Sequence, residues 1–346
     1  MKNVFSALLA ALMLVGILTG CTNQAEMPTV TAAPTGSQAQ PAADEKIRIV
    51  TTIFPEYDWV REILGDKADS AEITMLLDKG VDLHSYQPTA DDLIKISDCD
   101  LFVYVGGESD GWVDDALKSA ANKNRKVINL LDVLGDSVKT EEVVEGMQET
   151  EHDHDHDHDE DEDHEHEEEK DEHVWLSLKN AKTLVGAISA ALQEIDPDNK
   201  DTYAANADAY GQKLSALDAE YQKAVSAGTY KTLLFGDRFP FRYLVDDYGL
   251  SYYAAFVGCS AESEASFETV SFLARKVEEL KLPCVLTIEG KNHKIAETIV
   301  QNTAGKNQKI LTMDSMQSTT SQDVARGTTY LSLMAKNLDV LKEALG

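Results

Sequence analysis

The sequence predicts an α/β protein of two lobes, each a mainly parallel sheet flanked by helices, joined by a long backbone helix. Three observations predict it. Short β-branched or aromatic runs alternate with helical stretches from Lys46 to about Leu130. The same alternation returns from Thr232 to the C-terminus. Between the two, Tyr203, Ala207, Tyr210, Leu214, Leu217, Tyr221 and Val225 step by three or four, which is one apolar stripe along a single helix. Strands that alternate with helices pair in parallel, with helices covering both faces.

In chain order, residues 1–20 read as a targeting segment. Lys2 supplies a short positive region, and an apolar run extends from Val4 to Leu18. It ends in Leu18-Thr19-Gly20-Cys21, which resembles the bacterial lipobox. That resemblance implies cleavage before Cys21 and a lipid on its sulfur, hence an extracytoplasmic protein anchored to the bacterial cell membrane. A plain signal peptide is the alternative. Residues 21–45, rich in Ala, Pro, Thr, Gln and Gly, read as a flexible tether.

Residues 46–145 form the expected first lobe. Its strands are Ile47–Ile53, Ala71–Leu77, Leu101–Val105 and Val127–Leu130. Helices are expected over Tyr57–Leu64, which Gly65 closes, over Asp91–Ile96 after Pro88, and from about Trp112. The polar loop Asp78–Gln87 carries His84.

Residues 146–172 contain a low-complexity loop. From Glu151 to Glu172 it has 15 acids, six histidines and one lysine, with no apolar side chain to bury. A purely solvating tail needs no imidazole. Alternating His and Asp puts nitrogen and oxygen donors side by side for a borderline-soft divalent ion such as zinc. His152, His154, His156, His158, His164 and His166 are therefore expected to collect metal loosely. The run stops at His173, which passes straight into Val174-Trp175-Leu176 and folded structure.

Residues 173–228 are helical, broken at Asp196-Pro197, where Asp196 suits an N-cap and Pro197 the first helical position. The helix that follows spans roughly 45 Å at 1.5 Å per residue, long enough to be a strut between lobes. Gly228 ends it. Residues 229–346 form the second lobe, with strands Thr232–Phe235, Tyr252–Phe256, Cys284–Ile288 and Lys309–Met313. Its helices are Phe267–Leu280, Asn292–Asn302 and Thr328–Leu345.

The net charge of −30 excludes nucleic acid as a partner, which needs a basic face, and suits a protein that attracts cations. Beyond Cys21 the cysteines are Cys99, Cys259 and Cys284, an odd number with no evident disulfide framework. They read as small buried side chains. In parallel sheets, ligands bind beyond the carboxyl ends of strands. His84, His173, Asp237, Glu289, His293 and Asp314 lie after strands or at segment boundaries, so the expected cleft is lined with metal-type donors.

Here the chain resembles the bacterial zinc/manganese ABC-transporter substrate-binding lipoproteins. G-V-D-L-H-S-Y-Q-P-T (80–89) is similar to their first ligand loop and implies a ligand at His84, with Leu83 where proline is usual. E-H-V-W-L-S-L-K-N-A (172–181) is similar to the second and implies His173. L-T-M-D-S-M (311–316) implies a carboxylate ligand at Asp314. The third motif departs: in F-G-D-R-F-P-F-R-Y-L (235–244), Arg238 stands at the ligand position, and a guanidinium is no ordinary metal ligand. His293 is therefore ranked first for the third place, then Asp237, with Glu289 as a supporting partner. The resemblance implies a monomer that captures zinc, with manganese as the alternative, and delivers it to an ABC permease and its ATPase. A surface metal buffer or adhesin coupled to no transporter is the other alternative.

An enzyme is not expected. Gly107-Glu108-Ser109-Asp110-Gly111 matches the G-x-S-x-G pattern of a nucleophile elbow, but two carboxylates flank Ser109 and disfavour an alkoxide. There is no H-E-x-x-H, and a four-ligand site leaves no water to activate.

Overall fold

A computed structural model describes residues 46–119, 121–148, 169–260, 264–290 and 292–346. Cys21, the targeting and tether segments, and His152, His154, His156, His158, His164 and His166 lie outside the described residues.

In the first lobe the strands are β1 (Arg48–Thr51), β2 (Glu72–Met75), β3 (Leu101–Tyr104) and β4 (Lys126–Asn129). They pair in parallel in the order β2-β1-β3-β4. All four residues of β3 are buried, as a central strand covered on both faces requires. The helices are α1 (Phe54–Leu64), α2 (Ala90–Asp98), α3 (Val113–Lys118) and α4 (Leu130–Leu134). Thr89 starts α2 with a reciprocal capping box to Asp92, so the helix begins two residues after Pro88.

Two helices follow, α5 (Leu178–Ile195) and α6 (Lys200–Ala227). The break between them is a 3-10 turn, Pro197–Asn199, so α6 starts later than the Asp196 cap predicts. Asp196 instead accepts hydrogen bonds from Tyr203 Oη at 2.6 Å and Asn199 Nδ2 at 2.7 Å. The apolar stripe of α6 buries Tyr203, Tyr210, Leu214 and Tyr221 almost completely. This helix braces both lobes. Asn206 Nδ2 donates to Ile63 O at the end of α1, and Tyr221 Oη donates to Met334 O in the last helix.

The second lobe repeats the arrangement. Its strands β5 (Thr232–Phe239), β6 (Ser251–Val257), β7 (Cys284–Ile288) and β8 (Lys309–Met313) are parallel in the order β6-β5-β7-β8. Its helices are α7 (Arg242–Tyr248), α8 (Phe267–Glu279), α9 (Lys294–Gln301), α10 (Ser321–Ala325) and α11 (Tyr330–Leu345). Strand β5 runs four residues beyond the sequence reading, through a register shift between Phe235 and Arg238. Gly236 lies in that irregularity because α9 packs directly on it: a Cβ there would stand 2.6 Å from Ala296 Cα. In each sheet the chain leaves the first strand, pairs on one side and then crosses to the other, which places a switch point at β1/β3 and β5/β7.

The flanks of the acidic loop are built into the fold. Thr140 and Lys170 form an antiparallel bridge, Asp171 N donates to Lys139 O, and Gln148 N donates to Ala255 O.

Asp58 of α1 reaches across to α11, accepting a hydrogen bond from the Tyr330 amide at 2.9 Å while only 4% exposed. Burial pushes this carboxyl up from 3.8 to about 6, against the lowering effect of that hydrogen bond. The folded state therefore holds the proton more tightly than the unfolded chain, and stability contributed at this position falls as pH rises from about 4 to 6. Asp58→Asn keeps an acceptor and removes the charge. Urea unfolding is expected to find it roughly 1–3 kcal/mol more stable than the parent at pH 7, with the gap closing near pH 4. A variant less stable than the parent at pH 7 contradicts this.

Candidate metal centre

Loops at the carboxyl ends of the strands build the site. After β2, Asp82 Oδ1 accepts the His84 amide at 3.1 Å and starts a 3-10 turn, Leu83–Ser85. Buried Leu83 anchors that turn, so His84 faces the cleft. Its Nδ1 lies 2.8 Å from Ser109 Oγ, on the turn after β3, and 3.4 Å from Glu172 Oε2. Ser109 N donates in turn to Glu172 Oε1 at 2.8 Å. Burial alone would raise the Glu172 carboxyl, but bonding to His84 and Ser109 outweighs it and holds the group below its ordinary value.

His173 is fully buried. Asp171 Oδ1 accepts from both its backbone N, at 2.9 Å, and its Nδ1, at 3.0 Å. The Trp175 ring packs beside it with centroids 5.3 Å apart, and Trp175 Nε1 donates to Ser315 O of the second lobe.

The two imidazoles meet tip to tip, Nε2 to Nε2 at 3.3 Å. Each Nδ1 faces oxygen partners that include a carboxylate, which only accepts hydrogen bonds, so the ring protons belong on Nδ1. Both Nε2 atoms then present lone pairs to one another. Lone pairs repel unless a cation lies between them. Two nitrogens at about 2.0–2.1 Å from a tetrahedral zinc ion stand about 3.3 Å apart, the spacing observed here. Cys259, just after β6, completes the group: its Sγ and the two histidines' ligand atoms all lie within 4.8 Å of one another.

The cleft in front of these groups measures about 370 Å³ and draws on both lobes, with Glu108, Glu141, Glu169 and Glu172 in its lining. Burial pushes the Glu141 carboxyl up, and burial and then Glu141 push the Cys259 thiol up. The concentration of acids favours a dication over any anion. Two glycines make room for the site. A Cβ on Gly258 would stand 2.9 Å from His173 Cε1, and one on Gly107, whose φ is +84°, 2.4 Å from Glu172 Oε1.

Among the described residues, only His84, His173 and Cys259 gather closely enough to share an ion. The other candidates from the sequence are not part of that group. Asp314 Oδ1 accepts the Met316 amide, and the Asp314 backbone is fastened to Asn337 of α11. Burial, with Glu289 adding to it, pushes the Asp314 carboxyl up to about 6. Glu289 accepts from Ser315 N and Oγ at 2.6 and 2.7 Å. Asp237 lies inside β5, and its carboxylate accepts the Arg238 and Ile288 amides. His293 immediately precedes α9, with Nδ1 buried and unpaired among the described residues. Arg238 pairs across the lobes with Asp82.

Sequence reading did not single out Asp171, Glu172 or Ser109 as supports of the histidines, nor Cys259 as their neighbour. The available signal for Cys259 was its place directly after a strand. Ser109 is not set up as a nucleophile. A catalytic triad needs hydroxyl and carboxylate on opposite nitrogens of one imidazole, whereas Ser109 and Glu172 share Nδ1 of His84.

Comparisons with known proteins agree with one another. The family described as zinc-uptake complex component A, periplasmic (ZnuA), matches residues 49–344. The zinc-binding lipoprotein AdcA of Streptococcus pneumoniae is 33% identical over 88% of this chain, which spans 57% of that longer protein. The high-affinity zinc uptake system protein ZnuA of Bacillus subtilis is 32% identical over 91% of this chain and 93% of its own length. Among solved structures, the Zn(II)-bound ZnuA-like domain of Streptococcus pneumoniae AdcA superposes with a TM-score of 0.66 at 30% identity, over 87% of this chain and 99% of that one.

The glycine at 107 gives a direct test of the carboxylate support behind His84. Gly107→Ala is expected to displace Glu172 and weaken zinc binding by about 10- to 100-fold in chelator competition, with residues 151–168 deleted to remove the loop histidines. Gly186→Ala, in α5 with nothing within 4 Å of its new Cβ, should leave affinity unchanged. Equal affinities for the two variants contradict this role for Glu172.

Proposed function

The chain belongs to the zinc-uptake complex component A family, and from that membership we propose that it captures a zinc ion between His84 and His173 and passes it to an ABC importer. The observation that carries the proposal is the pair of imidazole tips converging at 3.3 Å, with Nδ1 of His173 against Asp171 and Nδ1 of His84 against Ser109 and Glu172. Two neutral imidazoles favour zinc over manganese, which suits oxygen-rich sites. The family takes its name from zinc uptake and not from catalysis.

Zinc here is cargo, so the site must bind tightly and still release. The donors come from loops at the cleft, while the α5–α6 pair and both sheets stay packed beneath them. The surrounding acids draw cations toward the cleft. His152, His154, His156, His158, His164 and His166 would raise the local supply by holding ions weakly. Lipidation at Cys21 would keep the protein at the extracytoplasmic face of the membrane, beside the permease that accepts the ion. Asp314, Glu289 and Asp237, bonded to backbone amides of the second lobe, would serve its framework.

With residues 151–168 deleted, one tight zinc site is expected to remain. Zinc at 100 times its Kd should stabilise that protein by about 2.7 kcal/mol, read as a rise in Tm that a chelator reverses. His84→Ala and His173→Ala should each lose that rise. Retention of the rise in both variants, or displacement of zinc by an equal concentration of manganese, contradicts the proposal.

A further inference from the structure

We propose that Cys259 is the third protein ligand of the cleft, supplied by the second lobe, so that the ion is held by two imidazoles and one sulfur. The proposal rests on the zinc-capture reading and adds to it a donor type and the lobe that provides it.

Four observations carry it. First, Sγ already lies within 4.8 Å of the histidines' ligand atoms. With zinc–sulfur bonds of about 2.3 Å, a tetrahedral site needs sulfur and nitrogen about 3.6 Å apart, a closure of little more than 1 Å. Second, the backbone at this position is held against the site. Gly258 packs on the His173 ring and on Phe239 O, leaving no room for a Cβ, and the Cys259 amide donates to Glu141 Oε1 at 2.9 Å. Third, Cys259 follows the carboxyl end of β6, two residues after the β5–β6 ladder ends at Val257, where a parallel sheet presents its ligand-binding loops. Fourth, the Arg238 guanidinium is paired with Asp82, the residue that starts the His84 turn, so its charge is already met by a carboxylate.

The chemistry balances without a co-reactant. The S–H bond breaks, the proton leaves to solvent, and the sulfur lone pair forms the bond to the dication. Glu141, Glu172 and Asp171 face the sulfur and oppose a free thiolate, but the same negative charges favour the dication that replaces the proton. A thiolate beside two imidazoles makes the site softer than one built with carboxylate and selects against manganese.

Cobalt(II) is the probe. With residues 151–168 deleted, one equivalent should give a near-ultraviolet sulfur-to-cobalt charge-transfer band. Cys259→Ser should lose the band and bind zinc more than 100-fold more weakly, whereas Cys99→Ser and Cys284→Ser should keep both. Cys259→His restores a ligand, so it should recover tight zinc binding without the band, which separates loss of a donor from loss of the fold. Cobalt bound one-to-one with visible bands but no charge transfer overturns the sulfur ligand and leaves the histidine site standing. A band that survives in Cys259→Ser also overturns it. Failure of the parent to bind either metal tightly defeats the zinc-capture reading, and this proposal with it.

Discussion

Two imidazole nitrogens held tip to tip are the constraint on which the rest of the site depends. Neither can donate to the other while each ring carries its proton on Nδ1, which faces Asp171 behind His173 and Ser109 and Glu172 behind His84. That arrangement is unfavourable by itself and becomes favourable with a cation at its centre. Much of the surrounding sequence is readable as its consequence. Asp171 and Glu172 sit behind the rings, Gly107 and Gly258 clear space beside them, and Trp175 wedges His173 while bonding to the second lobe.

The same constraint explains the distribution of donors over the fold. Each lobe is a small parallel sheet, and loops after β2, β3 and β6 line the cleft. The first lobe brings His84 and Ser109, the lead-in to α5 brings His173, and the second lobe brings Cys259. A site divided this way depends on the lobes keeping their spacing. Helix α6, hydrogen-bonded to α1 near one end and to α11 near the other, supplies that stiffness. The Arg238–Asp82 pair links the lobes at the cleft itself, on the same aspartate that shapes the His84 turn.

The strand–helix alternation was legible because hydrophobic period and turn residues are local signals. Each predicted strand is present, β7 and β8 with the expected bounds and the others with an end shifted by one to four residues. The long stripe of α6 was equally plain. The extension of β5 was not, since it depends on Asp237 replacing ladder partners and on Gly236 admitting α9. At the site, His84 and His173 stood out by residue type and position. The functions of Asp171 and Glu172 were hidden by composition: they read as the tail of an acidic run, yet their backbones are paired and their carboxylates each serve one histidine. Asp314 is implied as a ligand by the L-T-M-D-S-M resemblance, and Glu289 and Asp237 read as carboxylates after strands. Their engagement with backbone amides is a property of tertiary geometry that spacing does not reveal.

The central claim is that the ion sits between His84 and His173. Anomalous diffraction at the zinc edge tests it most directly, using crystals of the protein without residues 151–168 grown with one equivalent of zinc. The account predicts a single strong peak about 2.0–2.1 Å from Nε2 of both histidines. A peak bound instead to Asp314, Glu289 or His293, with neither of these two histidines in contact, would contradict it.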